Sequence, residues 1–297
     1  MVVSAKKRRR VEAHRLTISG LGQAPDYGKV IHQAWQSLKT NRDRAHQYLT
    51  KHNCLFRADQ RSEILRLLFF SYTAGYRPDI LDTEQFAIGP NPLTESQTGV
   101  DWTHVLGGRV DDRYILLVER SQRGTSPSAI EVYLQWTLDR FFASQAERRK
   151  WQAEEDIAVG LEAEPGTAFI DRLRQLTRVT RATVRTVRPN PGWDDLEKEL
   201  GREAKESRAK KVEVIMAAKR NDTLALGHGI VDAIKAMAGQ NKLDFAAIEG
   251  VEKDQPVKFN STKYAKQEYE NFATDSNGQV EHDDAWAKME EFLTRLD

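Results

Sequence analysis

The sequence predicts an α/β (α+β) fold of mixed sheets with crossover helices, divided into two domains. Three observations lead there. Short β-branched or aliphatic runs alternate with stretches of helical apolar spacing. Clusters of Gly, Pro, Asn and Asp separate them. The 297 residues are more than one ordinary domain holds and enough for substantial cores.

Taken in order, residues 1–10 read as a flexible basic arm, 11–150 as an N-terminal α/β domain and 155–297 as a C-terminal α/β domain. Val11–Ser19 alternates and predicts a strand, closed by Gly20, Gly22 and Pro25. Val30, Ile31, Ala34, Trp35 and Leu38 fall at helical spacing within Tyr27–Leu38. Thr40–Cys54 is polar and has no clear period. Ile64–Tyr72 is dense in Leu and Phe and fits a strand or a helix end. Residues 75–105, centred on Gly89–Pro92, predict a long loop. Arg113–Glu119 predicts a buried strand. Ser126 is a good N-cap and Pro127 suits the first helical position of a helix carrying Ile130, Tyr133, Leu134, Leu138, Phe141 and Phe142.

The C-terminal half repeats the rhythm. Strands at Ile157–Ala163, Val179–Arg188 and Val212–Ala218 alternate with helices at Thr167–Leu176, Trp193–Arg208 and Gly229–Ala238. Leu243–Val251 and Val257–Asn260 predict a hairpin, and Ala285–Leu296 a closing helix.

Composition excludes several classes. Cys54 is the only cysteine, so no intrachain disulfide or cysteine metal cage can form, and a buried, inert thiol is expected. No apolar run approaches the ~18 residues that span a bilayer, and no signal-peptide stretch follows the basic N-terminus. A cytoplasmic protein without membrane insertion is expected. There is no Gly-x4-Gly-Lys-Ser/Thr loop, and Gly20-Leu-Gly22 lacks the third glycine of a dinucleotide fingerprint. No Gly-x-Ser-x-Gly elbow is present, and the seven histidines are scattered without metal-ligand spacing. No cofactor, resident metal or catalytic residue is therefore predicted. One enzymatic alternative stands, a metal-dependent nuclease. Asp111 and Asp112 precede a buried strand that ends in Glu119, and carboxylates there could hold Mg²⁺. The lysine such a pattern wants two residues later is Ser121.

The formal net charge is only +1, but the charge is unevenly placed. Residues 1–20 carry Lys6, Lys7, Arg8, Arg9, Arg10 and Arg15 against Glu12, and residues 275–297 carry a net −5. Between 172 and 188 lie six arginines and no acid: Arg172, Arg174, Arg178, Arg181, Arg185 and Arg188. On a strand, Arg181, Thr183 and Arg185 share one face and Ala182, Val184 and Thr186 the other. Arg and Thr together suit phosphate tracking without base readout. The plain alternative is a solvated face paired with acids from elsewhere. Arg178, Arg181, Arg185, Arg188, Lys210 and Lys211 are the candidate DNA contacts, with Lys6, Lys7, Arg8, Arg9 and Arg10 reinforcing them. No aromatic platform is interleaved with these arginines.

A resemblance bears on this. The run Ala158–Pro165, the helix Phe169–Leu176, Ala182–Arg188 with Pro189-Asn-Pro191, and Trp193–Leu200 resemble the C-terminal half of the RexA-like phage-exclusion family. Ile115–Ser121, Gly124–Ser126 and Leu134 also resemble the strand, Gly-Ser turn and amphipathic helix of bacterial abortive-infection proteins. The likeness covers residues 110–265. It implies antiviral defence by a homodimer that binds DNA with little sequence preference, senses phage replication intermediates and activates a membrane-protein effector. It implies no enzymatic activity and transfers no DNA-contact residue. A third reading is a protein–protein adaptor, its acidic tail 281–297 docking on a basic partner or on the chain's own arm.

Overall fold

The structure is a computed structural model. It describes residues 6–22, 25–76, 80–82, 87–89, 92–94, 97–154, 156–186, 212–220, 222–239, 243 and 245–296. The predicted helix Trp193–Arg208 and the residues Arg188, Lys210 and Lys211 lie outside them.

The fold is mixed α/β. The larger sheet runs β14 (Gln267–Ala273), β1 (Lys6–Ser19), β8 (Arg113–Arg120), β7 (Asp101–Val110), β4 (Ile64–Tyr72), β3 (Lys51–Arg61) and β2 (Ala45–Tyr48), with β9 (Ala158–Ala163) also pairing β1. A four-stranded sheet runs β11 (Val212–Ala217), β10 (Arg178–Thr186), β12 (Phe245–Glu252) and β13 (Gln255–Asn260). β5 (Ile80–Asp82) and β6 (Ala87–Gly89) form a small pair. Neighbours from β2 through β8 and within the four-stranded sheet pair antiparallel.

The chain forms two compact units, and they do not follow a single cut near residue 150. The first comprises residues 1–11, 18–159 and 269–297, and the second 12–17 and 160–268. In the first unit, α1 (Tyr27–Ser37) and α2 (Pro127–Phe141) bury Val30, Ile31, Ala34, Ile130, Tyr133, Leu134 and Leu138. Ser126 accepts from the Ala129 amide as expected of an N-cap. The closing helix α6 (His282–Thr294) belongs to this unit rather than to the C-terminal one, because its stripe of Trp286, Met289, Phe292 and Leu293 is buried and it packs on β7 and β8. The unit also holds the short α3 (Gln145–Trp151). The second unit packs α4 (Thr167–Arg174) and α5 (Ile230–Gly239) on the four-stranded sheet. Phe169, Leu173, Val231 and Ile234 meet Val179, Ala182, Val184, Ala246 and Ile248.

Three expectations change. Lys6–Arg10 is the start of β1, not a flexible arm. Its backbone is placed between β8 and β14, and its cations find partners: Arg8 lies 4.7 Å over the Tyr269 ring and Arg9 3.4 Å from Glu119. A strand with neighbours on both sides satisfies its backbone groups whatever its side-chain charge. The polar stretch 40–54 supplies β2 and the start of β3, and Ile64–Tyr72 resolves as strand β4. The stretch 75–105 is not one long loop, because β5 and β6 pair within it and β7 begins at Asp101.

Gly108 permits the close seat of α6. A Cβ there would lie 2.4 Å from Leu293 Cδ2 and 3.1 Å from Ile64 Cδ1. Gly108→Val should destabilise the protein by about 1–3 kcal/mol through overpacking. A thermal melt beside the parent checks this, and an unchanged midpoint would show that α6 yields freely.

Candidate nucleic-acid interface

The candidate DNA residues meet on one face of the four-stranded sheet. β10 alternates as the sequence predicts: Ala182 and Val184 are buried against the helices, whereas Arg181, Thr183 and Arg185 point to the opposite face, Arg181 exposed and the other two half-buried. Register completes that face in three rows. Phe245, Arg185 and Glu213 form one, Ala247, Thr183 and Ile215 the next, and Glu249, Arg181 and Ala217 the third. Lys258 of β13 stands beside Glu249. The Arg185 guanidinium lies 4.6 Å over the Phe245 ring, so an aromatic platform does accompany the arginines, contributed by a distant strand. Ile215 is 50% exposed, an apolar patch in the centre of β11.

The face is only weakly positive. Arg185 lies 3.5 Å from Glu213, and Lys258 lies 2.6 Å from Glu249. The Lys258 hydrogen bond, with Arg181 adding, holds the Glu249 carboxyl below its ordinary range. Such exposed pairs are worth little in water and exchange readily, so a phosphate can compete for the cations. The other described arginines of the run are engaged elsewhere: Arg178 donates to the Asp222 carbonyl, Arg172 pairs with Glu252, and Arg174 with Asp171. Lys6–Arg10 lies on β1, outside the four-stranded sheet.

The nuclease carboxylates do not converge. Asp111 and Asp112 are exposed in the β7–β8 turn, Asp111 with φ 51°, whereas Glu119 lies seven residues farther along β8, about 23 Å at strand rise. Among the described residues, no group of three His, Cys, Asp or Glu is placed to hold a metal ion. Cys54 is fully buried, and burial pushes its thiol up to about 11.

Glu119 has a different setting, which sequence reading missed. It is 2% exposed, and its Oε2 accepts from the His104 ring Nδ1 at 2.7 Å and from the His104 backbone amide at 3.2 Å. His104 is fully buried, and its Nε2 lies 2.8 Å from Nδ1 of His282, the first residue of α6. The carboxylate makes His104 Nδ1 the donor, so in the neutral chain His104 Nε2 accepts from His282 Nδ1–H. His282 Nε2 then carries the free lone pair. A proton taken there can pass inward to the imidazole next to the buried charge. Burial, with His104 and Arg57 adding, lowers the His282 pKa from its ordinary value. His282 is half-buried and borders a row of aromatics, Trp102 at 5.8 Å, then Phe70 and Phe56, the last 40% exposed. One signal was available in the sequence: Glu119 directly follows the apolar run Tyr114–Val118 of a strand that reads as buried.

A protein-family model described as a domain of unknown function (DUF4747) matches residues 115–281, more than half of the chain. The chain belongs to the DUF4747 family. The match takes in the whole four-stranded sheet and Glu119, and it stops before His282. No curated protein matches the chain.

The relay has a pH signature. Because the His282 pKa is lowered in the folded state, the unfolded chain binds the proton first as pH falls through about 6.5. Its share of stability is complete above that pH and is lost below it. His46, lowered by burial, adds in the same direction. Imidazole NMR should show His282 titrating below 6.5. Glu119→Gln removes a charge that raises the His282 pKa, and should lower it further. A rise in that variant would contradict the relay.

Proposed function

We propose that this DUF4747 chain binds nucleic acid through the open face of its four-stranded sheet, contacting backbone rather than base edges. The observation that carries the reading is the outward row Arg185–Phe245 beside Arg181 and Thr183, on a sheet whose other face packs against α4 and α5. Arg and Thr supply charged and hydroxyl donors for phosphates, and the Phe245–Arg185 stack gives a base or sugar a flat surface. Two glutamates on the face keep affinity low, and its cations make it salt-dependent. The resemblance to phage-exclusion proteins supports a role in antiviral defence, as a cytoplasmic, homodimeric DNA sensor that signals to a membrane-protein effector. No helix among the described residues is long and apolar enough to cross a membrane.

A salt titration of duplex DNA binding tests this. The parent should bind at low ionic strength and weaken steeply as salt rises. Arg181→Ala with Arg185→Ala should weaken all sequences alike and reduce the salt slope by up to about two units. Glu213→Gln with Glu249→Gln should strengthen binding by removing the competing acids. No salt-sensitive binding by the parent sinks the reading.

A second reading rests on the Glu119–His104–His282 chain. A buried carboxylate orienting two imidazoles in series is suited to general-base work at His282 Nε2. If the protein turns over a substrate, both His282→Ala and Glu119→Gln should lower kcat, with Glu119→Gln also shifting the acid limb of the pH profile.

The adaptor reading rests on an acidic stretch that is helical and belongs to the first unit. Residues 282–294 form α6, with Glu290 on Arg66 at 2.7 Å and Asp284 held low by Lys288 and the Ala273 amide, Lys6 contributing.

A further inference from the structure

The strand–turn–helix segment from Arg120 to Ala129 takes no part in either reading, yet it encloses one side of a cavity of about 250 Å³. The other side is the β2–β3 turn, Tyr48 to Lys51, with Asn53 of β3. Two charged side chains line the cavity, Lys51 and Arg120, and both are cations. Ser121, Gln122 and Ser126 add neutral donors. Ser126 and Ala129, the N-cap and first turn of the 15-residue helix α2, also line the cavity, so the positive end of the helix dipole lies there, while Pro127 has no N–H and the Ala129 amide is already held by Ser126 Oγ.

An independent observation points to an occupant. Asn53 lines the cavity, is only 2% exposed, and its side-chain Nδ2 has no hydrogen-bond partner among the described residues. A buried amide donor left unsatisfied is costly, and an acceptor bound beside it removes that cost. The surrounding loop is set before any ligand arrives. Lys51 Nζ and the Ser71 hydroxyl both donate to the Arg123 carbonyl, at 2.8 Å each, and the Thr125 amide donates to Thr103 Oγ1 at 2.9 Å. Gly124 is required at that approach, since a Cβ would lie 2.4 Å from Thr103 Oγ1.

We propose that this cavity is a phosphate site, in which Lys51, Arg120, Asn53 Nδ2 and the N-terminus of α2 hold the phosphate group of a small phosphorylated molecule. Two cations, an amide donor and a helix N-terminus match a dianion with several acceptor oxygens better than a carboxylate. The volume exceeds a bare phosphate and leaves room for an attached sugar or similar ring. The site belongs to the first unit and does not depend on the face of the four-stranded sheet.

Calorimetric titration of the full chain tests it, with inorganic phosphate in one arm and a mononucleoside monophosphate in the other, at constant ionic strength set by chloride. Both should bind, the nucleotide more tightly if the cavity also holds the organic part. Equal affinities identify free phosphate as the source of the group. Lys51→Gln, at a half-buried position, should weaken either ligand about tenfold, and Asn53→Leu should do the same where it folds. Arg181→Ala with Arg185→Ala should leave both unchanged, so that failure of this site and failure of DNA binding are separable. Absence of binding in both arms at tens of millimolar, or an undiminished affinity in Lys51→Gln, overturns the proposal.

Discussion

The second unit depends on the period-two alternation of β10. This strand lies between β11 and β12, so it fixes which face of the four-stranded sheet is apolar. Ala182 and Val184 meet α4 and α5, which leaves Arg181, Thr183 and Arg185 no place but the opposite face, and an irregularity between Val179 and Arg181 brings Val179 into the same core. A one-residue slip would bury the arginines and expose the core residues at once. The same alternation that makes the core therefore displays the cations, so one register sets both the core and the charged face.

The register also decides what stands next to those cations. β12 places Phe245 against Arg185 and Glu249 against Arg181, and β11 places Glu213 against Arg185. The result is a face where attraction to phosphate competes with internal pairing. Exposed pairs of this kind contribute on the order of 0–1 kcal/mol each. On the proposed reading they would temper binding of any polyanion without abolishing it. The first unit handles charge differently. There Glu119 is buried and must be compensated, and His104, its own backbone amide and Arg9 surround it.

Much of the fold was legible because it rests on local periodicity. The strands at 113–119 and 178–186 and the helix after Ser126 follow from spacing and capping alone. Sequence reading failed where partners are distant. Lys6–Arg10 carries the composition of a solvated arm, yet strands on both sides hold it in a sheet. The closing helix α6 reads as part of the C-terminal half, but its apolar stripe packs on β7 and β8 of the first unit. Arg181 and Arg185 were visible as a shared face. Phe245, Glu213 and Glu249 were not, since only strand register brings residues 28 to 68 positions away alongside them. The His104–Glu119–His282 chain was hidden for the same reason: its members lie on two strands and a helix separated by up to 178 positions.

The claim that the open face of the four-stranded sheet contacts nucleic acid is tested most directly by photo-cross-linking. The full chain is irradiated with a duplex at low salt, and the cross-linked peptides are identified by mass spectrometry. The account predicts adducts within residues 178–186 and 245–252, with Phe245 the principal site, and their loss as salt rises. Adducts confined to residues 18–159, with none on those two strands, would contradict it.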